Sequence, residues 1–353
     1  MVRSICTAML LAGLAGGLTT PARAQTSAAD CTVLSEPAAR LACYDRLHGR
    51  TEPASTPAEA AGPGGAASAA APMPAPTPVS SIDPDSQLGA RWDLDGQRSA
   101  LFAPRAYKPV YLLPGTWTDR VNRLPGSPSP EHGVADPLVL KSVEAKYQIS
   151  LKAKFAHSVF GTPMSLWGGY TQSSRWQLYN GADSRPFRET NYEPEVMLVA
   201  PLDIALPGWK LRMASLSLNH QSNGRALPLS RSWNRLIGGL AVERDDWVAE
   251  LRGWNRINEA PKDDDNPDIS DYVGRLELRL ARYWGEHALS LQLRHSMRSG
   301  TQSRGSAQID YVFPLAGALH GQLQLFSGYG ESLIDYNLRQ NKAGLGVTIA
   351  GWR

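Results

Sequence analysis

Long hydrophobic runs are missing from this 353-residue chain. Past the N-terminus no stretch reaches the ~18 consecutive apolar residues that a membrane-spanning helix needs, which excludes a helical membrane protein. A mean hydropathy of −0.30 agrees, although barrel strands alternate and average to the same soluble-looking value. Charge of one sign is lacking too. The formal net charge is +3, and scattered basic residues do not make the clustered stripe that nucleic acid requires. Cysteine is scarce, with three in all. Cys6 lies in a segment expected to be removed, which leaves Cys31 and Cys43 as an even pair. In an exported, oxidising setting such a pair forms a disulfide; two buried thiols are the alternative.

Export is expected from residues 1–24, which read as a signal peptide. Arg3 supplies the positive n-region, Thr7 to Leu18 a short apolar stretch, and Ala22-Arg23-Ala24 a small-x-small cleavage pattern. Residues 25–50 form a small periplasmic module, in which Ser35-Glu36-Pro37 opens a capped helix carrying Cys43. Ala, Pro, Gly, Ser and Thr dominate 51–85, a composition that cannot bury enough apolar surface to order itself and reads as a flexible linker.

From about residue 105 the period changes to two. Val143, Ala145, Tyr147, Ile149, Leu151, Ala153 and Phe155 alternate with Glu144, Lys146, Gln148, Ser150, Lys152 and Lys154. That is a strand pattern, and it returns at Leu276-Leu278-Leu280, Leu289-Leu291-Leu293 and Ala307-Ile309-Tyr311-Phe313. Short connections, such as Pro207-Gly208 and Gly285-Glu286, alternate with longer polar ones at 223–231, 256–270, 298–305 and 328–340. About twelve strands result, at 106–115, 140–155, 164–177, 190–204, 209–222, 232–243, 246–256, 270–283, 287–297, 305–314, 318–328 and 341–352. The fold class is all-β: an antiparallel transmembrane β-barrel over 95–353, in a bacterial outer membrane.

One stretch carries chemistry. Asn219-His220-Gln221-Ser222-Asn223-Gly224 is followed by Ser230-Arg231-Ser232-Trp233-Asn234-Arg235. Side chains two apart on a strand share a face, so His220 and Ser222 project together, and a turn folds Asn234 back beside them. Nucleophile, base and a group orienting the base make a generalised triad. Climbing about 25–30 Å from Pro207-Gly208, at ~3.3 Å per residue with a ~45° tilt, the strand reaches the outer rim of the membrane at His220. Ala214, Leu216 and Leu218 share its face, which is the lipid side, while Leu236, Leu240 and Val242 share that of Asn234. Arg212 breaks the pattern lower down and is expected to snorkel to the inner interface. Bland readings exist for each residue. His-x-Ser alone is a weak signal, Asn234 and Ser230 suit a turn cap, Gln172 suits a barrel interior, and Trp176 and Trp233 suit an aromatic girdle, the better reading for Trp233.

The chain resembles the outer membrane phospholipase A family over about 95–353. The resemblance rests on Tyr170-Thr171-Gln172, Trp176-Gln177-Leu178, Pro186 to Pro194, the two segments just described, Asp265-Asn266-Pro267-Asp268-Ile269 and Ser327 to Asn337, in that order. It implies a twelve-stranded barrel, calcium-dependent hydrolysis of glycerophospholipid acyl esters (A1, A2 and lysophospholipase type) and activation as a homodimer. By the family's pattern Ser222 is the nucleophile, His220 its base and Asn234 the orienting group. Calcium is implied at the Arg225 carbonyl, the Ser230 hydroxyl and a carbonyl from Ser184 of the partner subunit; Gln172 matches a glutamine buried in the dimer interface. Leu227 departs from the pattern, standing where the family can use a carboxylate for a second calcium ion. Gly351-Trp352-Arg353 departs as well, because such barrels usually finish on an aromatic residue.

Two rival readings come from other classes. A passive porin or inactive barrel predicts conductance, yet Glu144, Lys146, Arg275, Glu277 and Arg279 look like paired charges filling the lumen. Another outer-membrane acyl hydrolase, such as a lipid A deacylase, would be favoured by eight strands.

Overall fold

Alternation of apolar and polar residues builds a closed antiparallel barrel in the computed structural model, which describes Cys31, Val33, Glu36, 39–43, 86–94 and 99–350. The segments expected to be a signal peptide (1–24) and a linker (51–85), and the last residues Gly351-Trp352-Arg353, lie outside the described residues. The chain divides into two units, Met1–Ala75 and Pro76–Arg353. In the first, residues 39–43 are helical and Cys31 and Cys43 form the expected disulfide, their Cα atoms 5.6 Å apart.

The second unit holds one six-residue helix, α1 (Gln87–Trp92), a two-residue strand, β1 (Arg105–Ala106), and the barrel. Barrel strands are β2 (Val110–Thr118), β3 (Val143–Ala156), β4 (Ser165–Trp176), β5 (Phe187–Leu206), β6 (Trp209–Ser222) and β7 (Ser232–Arg244). They continue as β8 (Trp247–Ile257), β9 (Leu276–Trp284), β10 (His287–His295), β11 (Gly305–Ala316), β12 (Leu319–Gly328) and β13 (Gln340–Ala350). Each pairs antiparallel with its sequence neighbours, and β13 pairs with β2 to close the ring of twelve. Closure leaves no sheet edge exposed to lipid, which is what permits strands to span a bilayer. Twelve strands also set the barrel apart from the eight expected of the rival deacylase reading.

Two-residue turns join β5–β6, β7–β8, β9–β10 and β11–β12 at one end, with glycines at positive φ at 208, 285 and 317 giving the backbone a conformation that side chains resist. Long loops sit at the other end. Apolar side chains face outward along every strand: Leu216 and Leu218 on β6 are 51% and 57% exposed while Ser217 and Asn219 between them are buried. Trp284, His287, Tyr311 and Phe313 stack side by side near the short turns, as an interfacial girdle does.

The lumen is filled. At the short-turn end α1 plugs it: the Ser86 hydroxyl caps the Gly89 amide and donates to Glu243, while Leu88, Trp92 and Leu94 pack on Tyr107, Trp167, Met197 and Val199. Lys152 reaches over the face of Trp92 with its ammonium 3.0 Å from the ring centre. Above the plug lies a charged layer. Glu331 binds Lys146, Arg175 and Lys342, and Glu144 binds Lys342 and Arg188. Such buried pairs add little net stability, but losing one partner strands a charge. Glu144, Lys146, Glu277 and Arg279 thus pair inside the barrel as expected, Glu277 being held by Arg279 and Arg294, whereas Arg275 stands ahead of β9 and pairs with Asp271 in the loop. A polar cavity of about 130 Å³ lies among these groups, and the long-loop end is packed with Trp233, Trp254, Ile269, Leu333 and Tyr336.

Three expectations change. Arg212 does not snorkel outward. It is buried and pairs with Glu243 at 3.0 Å, because a register shift between Leu211 and Met213 reverses the inward–outward alternation below it. Trp233 is no girdle residue: it is fully buried, its ring stacked under the Arg235 guanidinium at 4.1 Å, since outward Asn234 next to it forces it inward. The strand expected from 270 begins only at Leu276. Ile269–Asp271 forms a 3-10 turn, and Gly274 sits at φ +107, where a Cβ would lie 2.7 Å from the His295 carbonyl oxygen.

Candidate active site

β6 and β7 are joined by the loop 223–231, and their register sets the site. His220 stands opposite Asn234, Gln221 opposite Trp233 and Ser222 opposite Ser232. Alternation then turns His220, Ser222 and Asn234 to the outer wall while Asn219, Trp233 and Arg235 go into the lumen. His220 is exposed; Ser222 and Asn234 are half-buried. His220 Nδ1 and Asn234 Oδ1 are 2.8 Å apart. Ser222 is the next outward residue beyond the imidazole, and among the described residues no hydrogen bond joins the two; such contacts commonly tighten only when substrate is bound.

An outward groove of about 640 Å³ opens beside the histidine, lined by Leu151, Ala153, Phe155, Tyr170, Pro194, Val196, Leu218, His220, Asn234 and Ile257. Its lining is overwhelmingly apolar, with the polar pair at one end. The Phe155 ring lies over Gly168, where a Cβ would meet it at 2.1 Å unless the ring moved aside. The groove suits an extended acyl chain whose polar end meets the imidazole.

The loop of the site is stapled by Asn223. Its Oδ1 accepts from the amides of Arg225 and Arg231 at 3.2 and 3.0 Å, and its Nδ2 donates to the Leu229 carbonyl. Gly224 adopts φ +61 in this turn. Arg225 is exposed, and the Ser230 hydroxyl donates to Asp265 Oδ2 at 2.8 Å. Ser184 is elsewhere, in the β4–β5 connection, exposed and at φ 52. Gln172 faces outward on β4, opposite Ile149 and Tyr192, and accepts a hydrogen bond from the Tyr170 hydroxyl at 3.2 Å. Leu227 is exposed.

Calcium fits these residues in kind. Among the described residues no three His, Cys, Asp or Glu side chains converge on one metal position, so a dedicated transition-metal cage is absent. The Ser230 hydroxyl and the Asp265 carboxylate it donates to are oxygen groups, the kind a hard cation takes.

Two further groups touch the site that sequence reasoning missed. Asp265 also accepts from the Ser232 hydroxyl and pairs with His132 Nε2 at 3.0 Å; it opens the Asp265-Asn266-Pro267-Asp268-Ile269 segment that carries the resemblance, which gave it no role. Glu259 accepts from Asn234 Nδ2 at 2.7 Å, and nothing in the sequence pointed to it. Burial raises the Glu259 carboxyl above its ordinary value; Arg256 pulls it back and Asp264 adds to the rise.

A family model for phospholipase A1 matches residues 88–349. This chain belongs to the phospholipase A1 family. A Klebsiella pneumoniae phospholipase A1 is 38% identical over 245 residues, 69% of this chain and 81% of the relative. The solved outer membrane phospholipase A of Escherichia coli superimposes with a TM-score of 0.65 at 33% identity, covering 75% of this chain and 99% of that one. That of Salmonella typhi, a dimer with bound calcium, gives 0.64 at 35%, covering 73% and 96%. This phospholipase A1 family member is therefore an outer-membrane barrel and a phospholipid-hydrolysing enzyme.

Proposed function

We propose that this barrel hydrolyses acyl esters of glycerophospholipids lying against its outer wall, using Ser222 as nucleophile, His220 as its base and Asn234 to orient the imidazole. The observation carrying this reading is the 2.8 Å contact of His220 Nδ1 with Asn234 Oδ1 on an otherwise apolar face. Polar groups at that depth are costly and mark function.

Asn234 accepts the Nδ1 hydrogen and fixes the tautomer in which Nε2 is free. Ser222 Oγ bonds to the ester carbonyl carbon as its proton passes to Nε2. The tetrahedral oxyanion collapses, the bond to the glycerol oxygen breaks, and Nε2 returns the proton to that oxygen. Water repeats the sequence on the acyl-serine, releasing fatty acid and restoring Ser222. The Ser222 backbone amide serves as a donor to the oxyanion. Positions 1 and 2 of the glycerol and lysophospholipids are all within this chemistry.

The Arg225 carbonyl, the Ser230 hydroxyl and the carbonyl of Ser184 of the partner subunit, completed by water, would hold calcium. Bound there, it supplies positive charge for the oxyanion, which an asparagine-based triad otherwise lacks. Support for calcium and for an active homodimer comes from the Salmonella relative, a calcium-bound dimer. Gln172 on the outward face of β4 is the polar contact of that dimer. Leu227 supplies no carboxylate, so a second calcium ion is not part of the proposal.

Fatty-acid release from mixed phospholipid–detergent micelles by the refolded full chain tests this. Ser222→Ala should lose about 10³-fold or more in kcat with the barrel intact, and a calcium chelator should abolish wild-type turnover. Retained activity in Ser222→Ala contradicts the triad; full activity in chelator contradicts the metal assignment.

A further inference from the structure

A serine–histidine–asparagine triad has two physical weaknesses. An amide can present either its oxygen or its NH₂ to the imidazole, and only the oxygen selects the tautomer with a free Nε2. It also brings no charge to stabilise the imidazolium. Glu259 answers both.

Glu259 lies two residues past the end of β8, whose last residue Ile257 is the register partner of Asn234. Its Oε1 accepts from Asn234 Nδ2 at 2.7 Å. Its Oε2 faces Arg256 Nη2 at 3.3 Å, and that guanidinium is itself fixed by Asp264 at 2.5 Å and by the Asn266 carbonyl at 3.1 Å. The side chain is largely sheltered, at 20% exposure. His220, Asn234 and Glu259 thus form a chain of hydrogen bonds running from β6 across β7 to the loop that follows β8.

An ionised carboxylate only accepts. Facing one, Asn234 must turn its NH₂ to Glu259 and its Oδ1 to His220 Nδ1, so Nδ1 carries the hydrogen and Nε2 is left to take the Ser222 proton. With nothing there, the flipped amide would donate to Nδ1 and place the hydrogen on Nε2, where it blocks proton transfer. The charge at the far end also polarises the amide toward the imidazolium that forms during turnover.

We propose that Glu259 is a positioning residue for ester hydrolysis, locking the Asn234 amide in its productive orientation and supplying through it the negative charge that the asparagine lacks. The proposal rests on the triad reading given above. Its plainest rival is that Glu259 only latches the loop following β8.

The test uses the refolded full chain with calcium in mixed micelles, Ser222→Ala serving as the zero reference. Glu259→Gln should lower kcat about tenfold or more with KM changed less than twofold, and Glu259→Asp should recover part of the loss. Asn234→Asp alone sets a second carboxylate against Glu259 and should be impaired; combining it with Glu259→Gln, whose amide can donate, should raise kcat at least about fivefold over Asn234→Asp alone. A loop latch has no reason to produce that rescue. Wild-type kcat in Glu259→Gln, a change confined to KM, or no rescue in the double variant overturns the proposal. Should Glu259→Gln fail to fold, the kcat of Glu259→Asp and the pair of Asn234 variants decide it alone. An active Ser222→Ala would instead overturn the underlying triad.

Discussion

His220 is useful because of what it is mounted on. Its neighbours Leu216 and Leu218 on the same face are exposed leucines, while Asn219 beside it is buried among Glu193, Glu195 and Arg235. A one-residue slip in β6 would exchange these sets and carry the imidazole into the lumen. At the same scale, Trp233 explains why Asn234 holds its place. The indole fills the lumen side of the strand, its Nε1 donating to Gln221 at 2.9 Å and its face under Arg235. Trp233→Ala should cost about 3–5 kcal/mol of stability, read by urea unfolding of the refolded barrel in detergent, and should lower activity by loosening Asn234. A loss below ~1 kcal/mol would place the ring outside the packed core. The outward placement of His220, Ser222 and Asn234 was legible because strand parity predicts which wall a side chain joins; Gln172 stood out only through the resemblance, and its own reading as an interior residue does not hold on the outward face of β4. Trp233 obeys the parity rule, which turns it inward beside outward Asn234 and away from a girdle. Glu259 was not legible and Asp265 stood out only as part of a resembling segment, since each reaches the site from a loop whose path depends on tertiary contacts.

Strands β5 and β6 show how an element corrects its own pattern. Both carry register shifts near their short turn, between Pro201 and Ile204 and between Leu211 and Met213. The shift turns Arg212 inward onto Glu243, which also holds the Ser86 hydroxyl and the Leu88 amide of the plug helix. A bulge leaves no mark in a period-two reading, so Arg212 looked lipid-facing. Arg212→Leu separates the two placements. An inward arginine predicts destabilisation by about 3–5 kcal/mol, as Glu243 loses a buried partner, whereas a lipid-facing one predicts neutrality or a gain. Heat-induced mobility shift of the folded barrel on gels, alongside urea unfolding, measures it. The long strands themselves were readable to within a few residues. β9 was not, because the Ile269–Asp271 turn and Gly274 interrupt a segment whose composition looks extended.

At the scale of the molecule, the barrel is a wall rather than a pore. The plug helix, the Glu331 and Glu144 ion-pair layer and the packed loop end fill the lumen around a small polar cavity. Wild-type protein in planar bilayers should therefore give no steady conductance, and porin-sized steps would show the lumen to be open. A filled interior also supplies the rigidity that an outward site needs, because each wall residue is held by a partner behind it. In the proposed mechanism a serine on this outer wall attacks lipid. Treating the calcium-loaded protein in micelles with a long-chain alkylsulfonyl fluoride, then mapping the adduct by mass spectrometry, tests it most directly. One modified residue is expected, Ser222, with activity lost in proportion to labelling. Complete inactivation with Ser222 unmodified would contradict it.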